Sequence, residues 1–497
     1  MSAIRTCGTW VKAACQLLSL LALIVAAPAV VGATLRVQPQ TGEPASTVSV
    51  SGSGMAAFEE VVLRYDGVAL ATARANADGT FAQDEVAIPA SALPGRRPLA
   101  AVGRSSGTRA TVPFLVRTNW PQFHRGPFRH GETPHENVLG PDNVAQLQLL
   151  WDMPTGLYVD GALQGSPVVA NGLVYILTSD YEQGRLLALD AATGARRWSQ
   201  PIGYSHGCGA TPAVAQGRVY APALGRMAAF DPRTGAVRWR VGESFCATPS
   251  TPTVVDGKLF TTTNGGPNLD ARDAASGKLL WRRRVCIRFG DGSCLYASPF
   301  GPLAAGDGIV YVTNSAGGMA AYDANTGHQR WSRLVGSGNL INTAPVVEGD
   351  VVYISVHDGR VHALNRMTGA ELWSAPVGRY NHSTPALAGG VLYAGSDSDG
   401  ITAIDAKTGA VRWQQRAVGS VRTSPAVANG VVYLGAGDGR LYALDAQTGA
   451  VLYSRPIAPA GRLLSPSPAV ADGVVYVGTG DRLLALGLRP GTADTGR

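Results

Sequence analysis

A chain of 497 residues is too long for one small core, and 62 glycines with only 15% charged residues suit many short strands joined by tight turns. That balance excludes a coiled coil and a disordered chain. The formal charge is +7, to which Arg5 and Lys12 near the N-terminus contribute, and no long Lys/Arg run occurs, so no nucleic-acid partner is expected.

Residues 1–33 read as a secretory signal. Arg5 and Lys12 make a basic start and residues 17–31 are almost wholly apolar. Val31-Gly32-Ala33 and Ala27-Pro28-Ala29 both offer small-residue cleavage sites, and cleavage after Ala33 is expected. An uncleaved anchor is the alternative, against which the shortness of the apolar run argues. The product is expected to be exported, periplasmic or extracellular, a monomer, with no transmembrane helix in the mature chain.

Residues 34–116 carry short alternating segments such as "STVSVSGSG" and "EEVVLRYDGV", punctuated by Gly, Asp-Gly and Pro. They predict a small β-sandwich. The run resembles the bacterial immunoglobulin-like modules of exported proteins, which implies a spacer or binding unit. Residues 117–143 are rich in His, Pro and Gly. His124, His130, His135 and Glu136 fit no metal-ligand spacing, and the stretch predicts an irregular strap over the surface of the next domain.

From residue 144 a unit recurs every 40 to 50 residues or so. "ALDAATGARRW" ends at Trp198, and its relatives end at Trp239, Trp281, Trp331, Trp373, Trp413 and Tyr453. A Ser/Thr/Ala-Pro step opens each unit, at Pro167, Pro212, Pro252, Pro299, Pro345, Pro385, Pro425 and Pro468. In the unit 424–456, strands are predicted over 424–428, 431–435, 440–446 and up to Tyr453. Asn429-Gly430, Asp438-Gly439 and Thr448-Gly449 supply the turns. Four antiparallel strands in each of eight units predict an all-β fold, an eight-bladed β-propeller preceded by the sandwich. The eighth unit has only three strands. Residues 145–151, with Trp151, are predicted to supply the fourth and close the ring. Residues 489–497 are expected to be a disordered tail.

Within the repeat, Ala188 permits close backbone approach, Asp190 accepts turn N–H groups, Gly194 makes the hairpin and Trp198 wedges between blades. This pattern resembles the tryptophan-docking motif of the quinoprotein (pyrroloquinoline quinone, PQQ) propellers. The resemblance, over about residues 120–488, implies docking roles for Trp151, Trp198, Trp239, Trp281, Trp331, Trp373, Trp413 and Tyr453. It also implies two branches, PQQ- and calcium-dependent dehydrogenases and cofactor-free scaffolds. The catalytic branch uses a Trp floor under the quinone, often adjacent cysteines, a Glu and Asn for calcium, and an Asp base. Here no cysteines are adjacent, every propeller Trp occupies a docking position, and the loop acids are few: Asp160, Asp180, Glu182, Glu243 and Asp291. The expectation is a non-catalytic scaffold that binds a protein or an extracellular polymer without a cofactor. The alternative is a dehydrogenase using PQQ and calcium in an atypical pocket.

Cys286 and Cys294 flank the short loop "CIRFGDGSC" and are expected to pair, leaving Cys208 with Cys246. No catalytic or metal-binding residue is assigned. Loops ahead of the Pro steps should converge on one face, and they offer Tyr158, Asp160, Gln164, Asn339, Asn342, Tyr380 and Asn381. The ligand-binding candidates there are His206, Arg379, His382, Arg422 and Arg462, the three arginines as a positive patch for a carboxylate or phosphate. Asp397-Ser398-Asp399-Gly400 suggests calcium, but its counterparts in other units read as ordinary hairpin turns.

Overall fold

The computed structural model describes residues 32–155, 165–178, 184–203, 210–223, 226–241, 251–263, 267–288, 293–296, 301–336, 343–459, 464 and 466–489. The expected signal up to residue 31 and the tail from 490 lie outside the described residues. Among those described, no helix is long and apolar enough to cross a membrane.

Residues 34–116 form two sheets around one core. Thr34–Gln38, Thr47–Ser53 and Phe81–Ala87 make one, and Thr41–Gly42, Arg109–Val116, Gly95–Gly103, Glu60–Tyr65 and Val68–Arg74 make the other. Alternate residues point inward, so Leu35, Val37, Val48, Val50, Val61 and Leu63 are buried together. The unit is fastened to the connecting segment at residues 125 and 137. Asn137 Nδ2 donates to Ala90 O and Ala92 O, and Arg125 pairs with Glu43 at 3.0 Å.

Eight four-stranded antiparallel blades come next. In the first, Val168–Ala170, Leu173–Thr178, Gly184–Asp190 and Arg196–Gly203 pair in sequence order. Blades 2 to 7 repeat this over residues 213–241, 253–284, 304–334, 346–376, 386–415 and 426–456. The three-residue first strands are innermost; most touch their neighbours, and the first blade's touches the eighth's. Blade 8 takes its outer strand from Gln148–Pro154, which pairs with Arg482–Gly487. That strand starts three residues later than expected, because Val144–Gln146 forms a 3₁₀ turn. One blade opens differently from the expected register. The inner strand of blade 4 is Ala304–Gly306 before the Asp307-Gly308 turn, so Leu303 stands where the other blades place proline. Pro299 lies outside the described residues.

The recurring tryptophans bridge neighbouring blades. Trp198 Nε1 donates to Pro232 O at 2.9 Å, and Trp151, Trp239, Trp281, Trp331 and Trp413 make the same bond to Ala191, Ala274, Ala324, Arg366 and Ala446. A tyrosine hydroxyl from the second strand often shares that carbonyl: Tyr175 bonds Pro232 O and Tyr393 bonds Ala446 O. Each indole also covers the glycine of the next blade's Thr-Gly turn. A Cβ at Gly235, which has φ +73°, would lie 2.7 Å from Trp198. Trp373 covers Gly409 in the same way. Asp190 Oδ1 closes the turn by accepting the N–H groups of Ala192 and Thr193 and the Thr193 hydroxyl. Blade 8 has no such turn to receive an indole. Tyr453 stands in the docking position facing it, and neither its hydroxyl nor that of Tyr433 has a partner.

Candidate functional site

Innermost strands leave one row of backbone groups unpaired toward the axis, and buried N–H groups need acceptors. The strap of residues 117–134 supplies them. Val169 N donates to Trp120 O, Val214 N to Pro121 O, Ala305 N to Pro127 O, Val347 N to Phe128 O, Leu387 N to His130 O and Val427 N to Gly131 O. Val254 N is met by Gln122 Oε1, and Thr133 Oγ1 donates to Val470 O in blade 8. The strap therefore runs round the inside of the ring and touches every blade, where the sequence suggested a path over the surface.

The strap closes the axis from the side of the first hairpin turns, where Asn171, Asn429 and Asp472 meet Asn119, Leu139 and Thr118. Arg129 is fully buried in it. Its guanidinium donates to Leu303 O, Phe123 O and Thr253 Oγ1, and burial lowers its pKa to about 9. His124 stacks on Phe123 at 4.9 Å and donates Nδ1–H to Arg129 O at 3.1 Å. Burial pushes its pKa down to about 3. His130 Nε2 bonds Val347 O, and Glu136 accepts N–H bonds from Val138, Leu139 and Gly473. These side chains hold the strap. Among the described residues no group of three His, Cys, Asp or Glu gathers to hold a metal ion.

On the other side of the strap, the Ser/Thr before each proline forms a ring. Ser467 N donates to Ser166 Oγ, Ser166 N to Thr211 Oγ1 and Thr211 N to Thr251 Oγ1, at 2.9–3.1 Å. Ala344 N, Thr384 N and Ser424 N donate in turn to Thr384 Oγ1, Ser424 Oγ and Ser467 Oγ. The ring is broken at blade 4, where Pro302 has neither hydroxyl nor N–H. Blade 5 matches that defect: Ala344 lacks a hydroxyl, and Pro302 has no N–H to offer one. The opening proline motif thus knits blades together. The signal was visible in the sequence as a hydroxyl residue directly before the proline.

The candidate ligand face lies where these strands begin. His206 and Arg462 lie outside the described residues, as do Cys208, Cys246, Tyr158, Asp160, Gln164, Asn339 and Asn342. Arg379 and Tyr380 are exposed, and Tyr380 has φ +57°. Asn381 is buried, with Nδ2 on Val356 O. His382 meets His357, and Arg422 meets Asp397. The two imidazoles are 4.4 Å apart edge to face, and His357 Nε2 has no hydrogen-bond partner. Arg422 holds Asp397 bidentately at 2.6–3.0 Å. Asp397 thus pairs with Arg422, one of the three arginines named for the expected patch. Burial lowers both histidine pKa values, with Asp397 opposing and Arg422 adding. The cluster can exchange hydrogen bonds with a polar ligand. The Asp397–Gly400 stretch is a hairpin turn, in which Asp399 N donates to Ser396 Oγ.

Residues 143–375 and 357–494 match the family described as Outer membrane protein assembly factor BamB. The chain belongs to that family. It is 31% identical over 249 residues to the BamB of Moranella endobia (strain PCIT), covering 44% of this chain and 58% of that one. It is 28% identical over 257 residues to the serine/threonine-protein kinase AfsK of Streptomyces griseus, covering 44% of this chain and 31% of the kinase. It is 28% identical over 190 residues to the dehydrogenase subunit of a quinone alcohol dehydrogenase of Gluconobacter oxydans (strain 621H), covering 33% and 24%. The chain thus spans from about a quarter to under two thirds of these curated relatives. A europium-containing methanol dehydrogenase superposes with a TM-score of 0.62 at 15% identity, over 75% of this chain and 98% of that one, a likeness of fold.

The dehydrogenase alternative needs an indole to floor PQQ, and the tryptophans among the described residues are engaged elsewhere. Trp151, Trp198, Trp239, Trp281, Trp331, Trp373 and Trp413 lie between blades, and Trp120 is 1% exposed in the strap. Trp10 lies outside the described residues. Among the described residues no indole is left to floor a quinone.

Proposed function

We propose that this protein is an exported, non-catalytic propeller that binds a partner protein through its outer and loop surfaces. The placement of all eight tryptophans after the leader, each engaged between blades or in the strap, carries this reading. The strap supports it, since the axis is filled from one side by the chain's own backbone. Membership in a family described by an assembly factor agrees with a binding role, and the leader agrees with export.

The likeness to a quinone alcohol dehydrogenase favours a second reading, a PQQ- and calcium-dependent dehydrogenase. Purified protein is titrated with PQQ and Ca²⁺ and assayed for dye reduction with alcohols and sugars. The binding reading predicts no turnover and no rise in melting temperature. Saturable quinone binding with turnover would overturn it.

A further inference from the structure

We infer that a groove between blades 3 and 4 docks an extended acidic segment of a partner protein. This rests on the binding reading above and names the chemistry of the partner. Blade 3 ends in the outer strand Leu279–Arg284, and a small hairpin comes after it, Ile287–Arg288 paired with Cys294–Leu295. The Cys286–Cys294 disulfide ties that hairpin at its base. Four hydrogen bonds fasten it onto blade 4: Arg288 N to Ser332 Oγ, Arg288 Nε to Gln329 Oε1, Cys286 N to Tyr322 Oη, and Gln329 Nε2 to Cys286 O. A cavity of about 730 Å³ lies between the hairpin and the blade.

Its wall is cationic. Among the described residues Arg283, Arg284, Arg288 and Arg330 line it, and no carboxylate does. Arg330 is neutralised by Asp323 at 2.7 Å. The other three have no acidic partner among the described residues. Arg283 donates to the carbonyls of Thr326 and Gly327, Arg284 lies over the Tyr296 ring at 4.4 Å, and Arg288 Nε donates to Gln329 Oε1. These contacts aim the guanidinium groups without discharging them. Converging like charges repel unless an anion joins them, and guanidinium forks match carboxylates in two-pronged geometry.

The floor selects a peptide over an acidic polysaccharide. It runs through consecutive residues 327–332, part of the outermost strand Gln329–Leu334. Among the described residues that strand pairs only with Gly318–Asp323, so its other edge offers backbone N–H and C=O groups without a strand partner. An extended peptide satisfies such an edge with its own backbone while its carboxylates reach the arginines. The exposed Tyr296 adds an apolar contact beside them.

Fluorescence anisotropy on the full exported chain tests this with three probes: an Asp/Glu-rich extended peptide, the same peptide as Asn/Gln, and a polyuronate oligomer. The acidic peptide is expected to bind, and to lose affinity steeply with salt. The neutral peptide and the uronate are expected to bind far more weakly. Arg284→Ala with Arg288→Ala, both exposed positions, should weaken the acidic peptide roughly tenfold or more at unchanged melting temperature. The double Lys variant should restore part of it, because an ammonium keeps the charge and loses the fork. Equal binding by wild type and the Ala pair would overturn the proposal. So would uronate binding as tight as the peptide's. Either outcome leaves the quinone titration untouched, so the two readings fail separately.

Discussion

Gly235→Ala should cost much more than Gly217→Ala, although both glycines lie in blade 2 at almost the same positive φ, +73° and +68°. Around Gly217 a new Cβ meets nothing within 4 Å, so the substitution costs only the left-handed backbone, about 1 kcal/mol. At Gly235 the same Cβ lies 2.7 Å from Cδ2 and Cε3 of Trp198. The indole must move, and its bond to Pro232 O is strained or lost. The hydrogen bond is worth about 1 kcal/mol, and full removal of a buried Trp about 3–5 kcal/mol. Partial displacement therefore adds about 1–3 kcal/mol to the backbone cost. Urea denaturation of wild type and both variants, with m-values checked for equality, reads the difference directly. Equal midpoints for the two variants would refute the claim that the glycine of the Thr-Gly turn is there to seat the indole.

Deleting residues 148–154 should lower the melting temperature sharply, because blade 8 loses its outer strand and the ring opens; a deletion that melts like wild type would contradict the closure. Tyr353→Phe should cost about 1 kcal/mol in urea titration by removing the bond to Ala406 O, whereas Tyr453→Phe, whose hydroxyl is unpartnered, should be neutral. His124 gives a pH signature. Its folded pKa of about 3 lies below the ordinary 6.5, so the unfolded chain binds the proton more tightly. The stability His124 contributes is full above pH 6.5 and is lost as pH falls toward 3, by up to about 4 kcal/mol. His124→Gln should flatten the acid side of a stability–pH profile over that window.

Blade count, strand order and the closing strand were legible because each rests on local chemistry repeated many times. One Thr-Gly turn is weak evidence, and a run of them at even spacing is strong. The path of the strap was not legible. Nothing in residues 117–134 announces that backbone amides such as those of Val169 and Val427 lack partners until the blades are assembled around them. The His357–Asp397 side of the candidate face was hidden for a related reason. Both residues sit in turns that look identical to their purely structural counterparts, and only the arrangement of blades brings them to His382 and Arg422. The defect at blade 4 shows the reverse case. Pro302 and Ala344 look like unrelated losses of a hydroxyl, yet they are partners in one missing hydrogen bond.

Amide hydrogen exchange, with and without PQQ and Ca²⁺, tests the central claim most directly. The account predicts slow exchange at Val169, Val214, Val347, Leu387 and Val427, whose N–H groups bond the strap, and the same protection after the additions. Rapid exchange at those amides would show that the strap does not fill the ring. Protection gained near the axis on adding the quinone and calcium would contradict the non-catalytic reading.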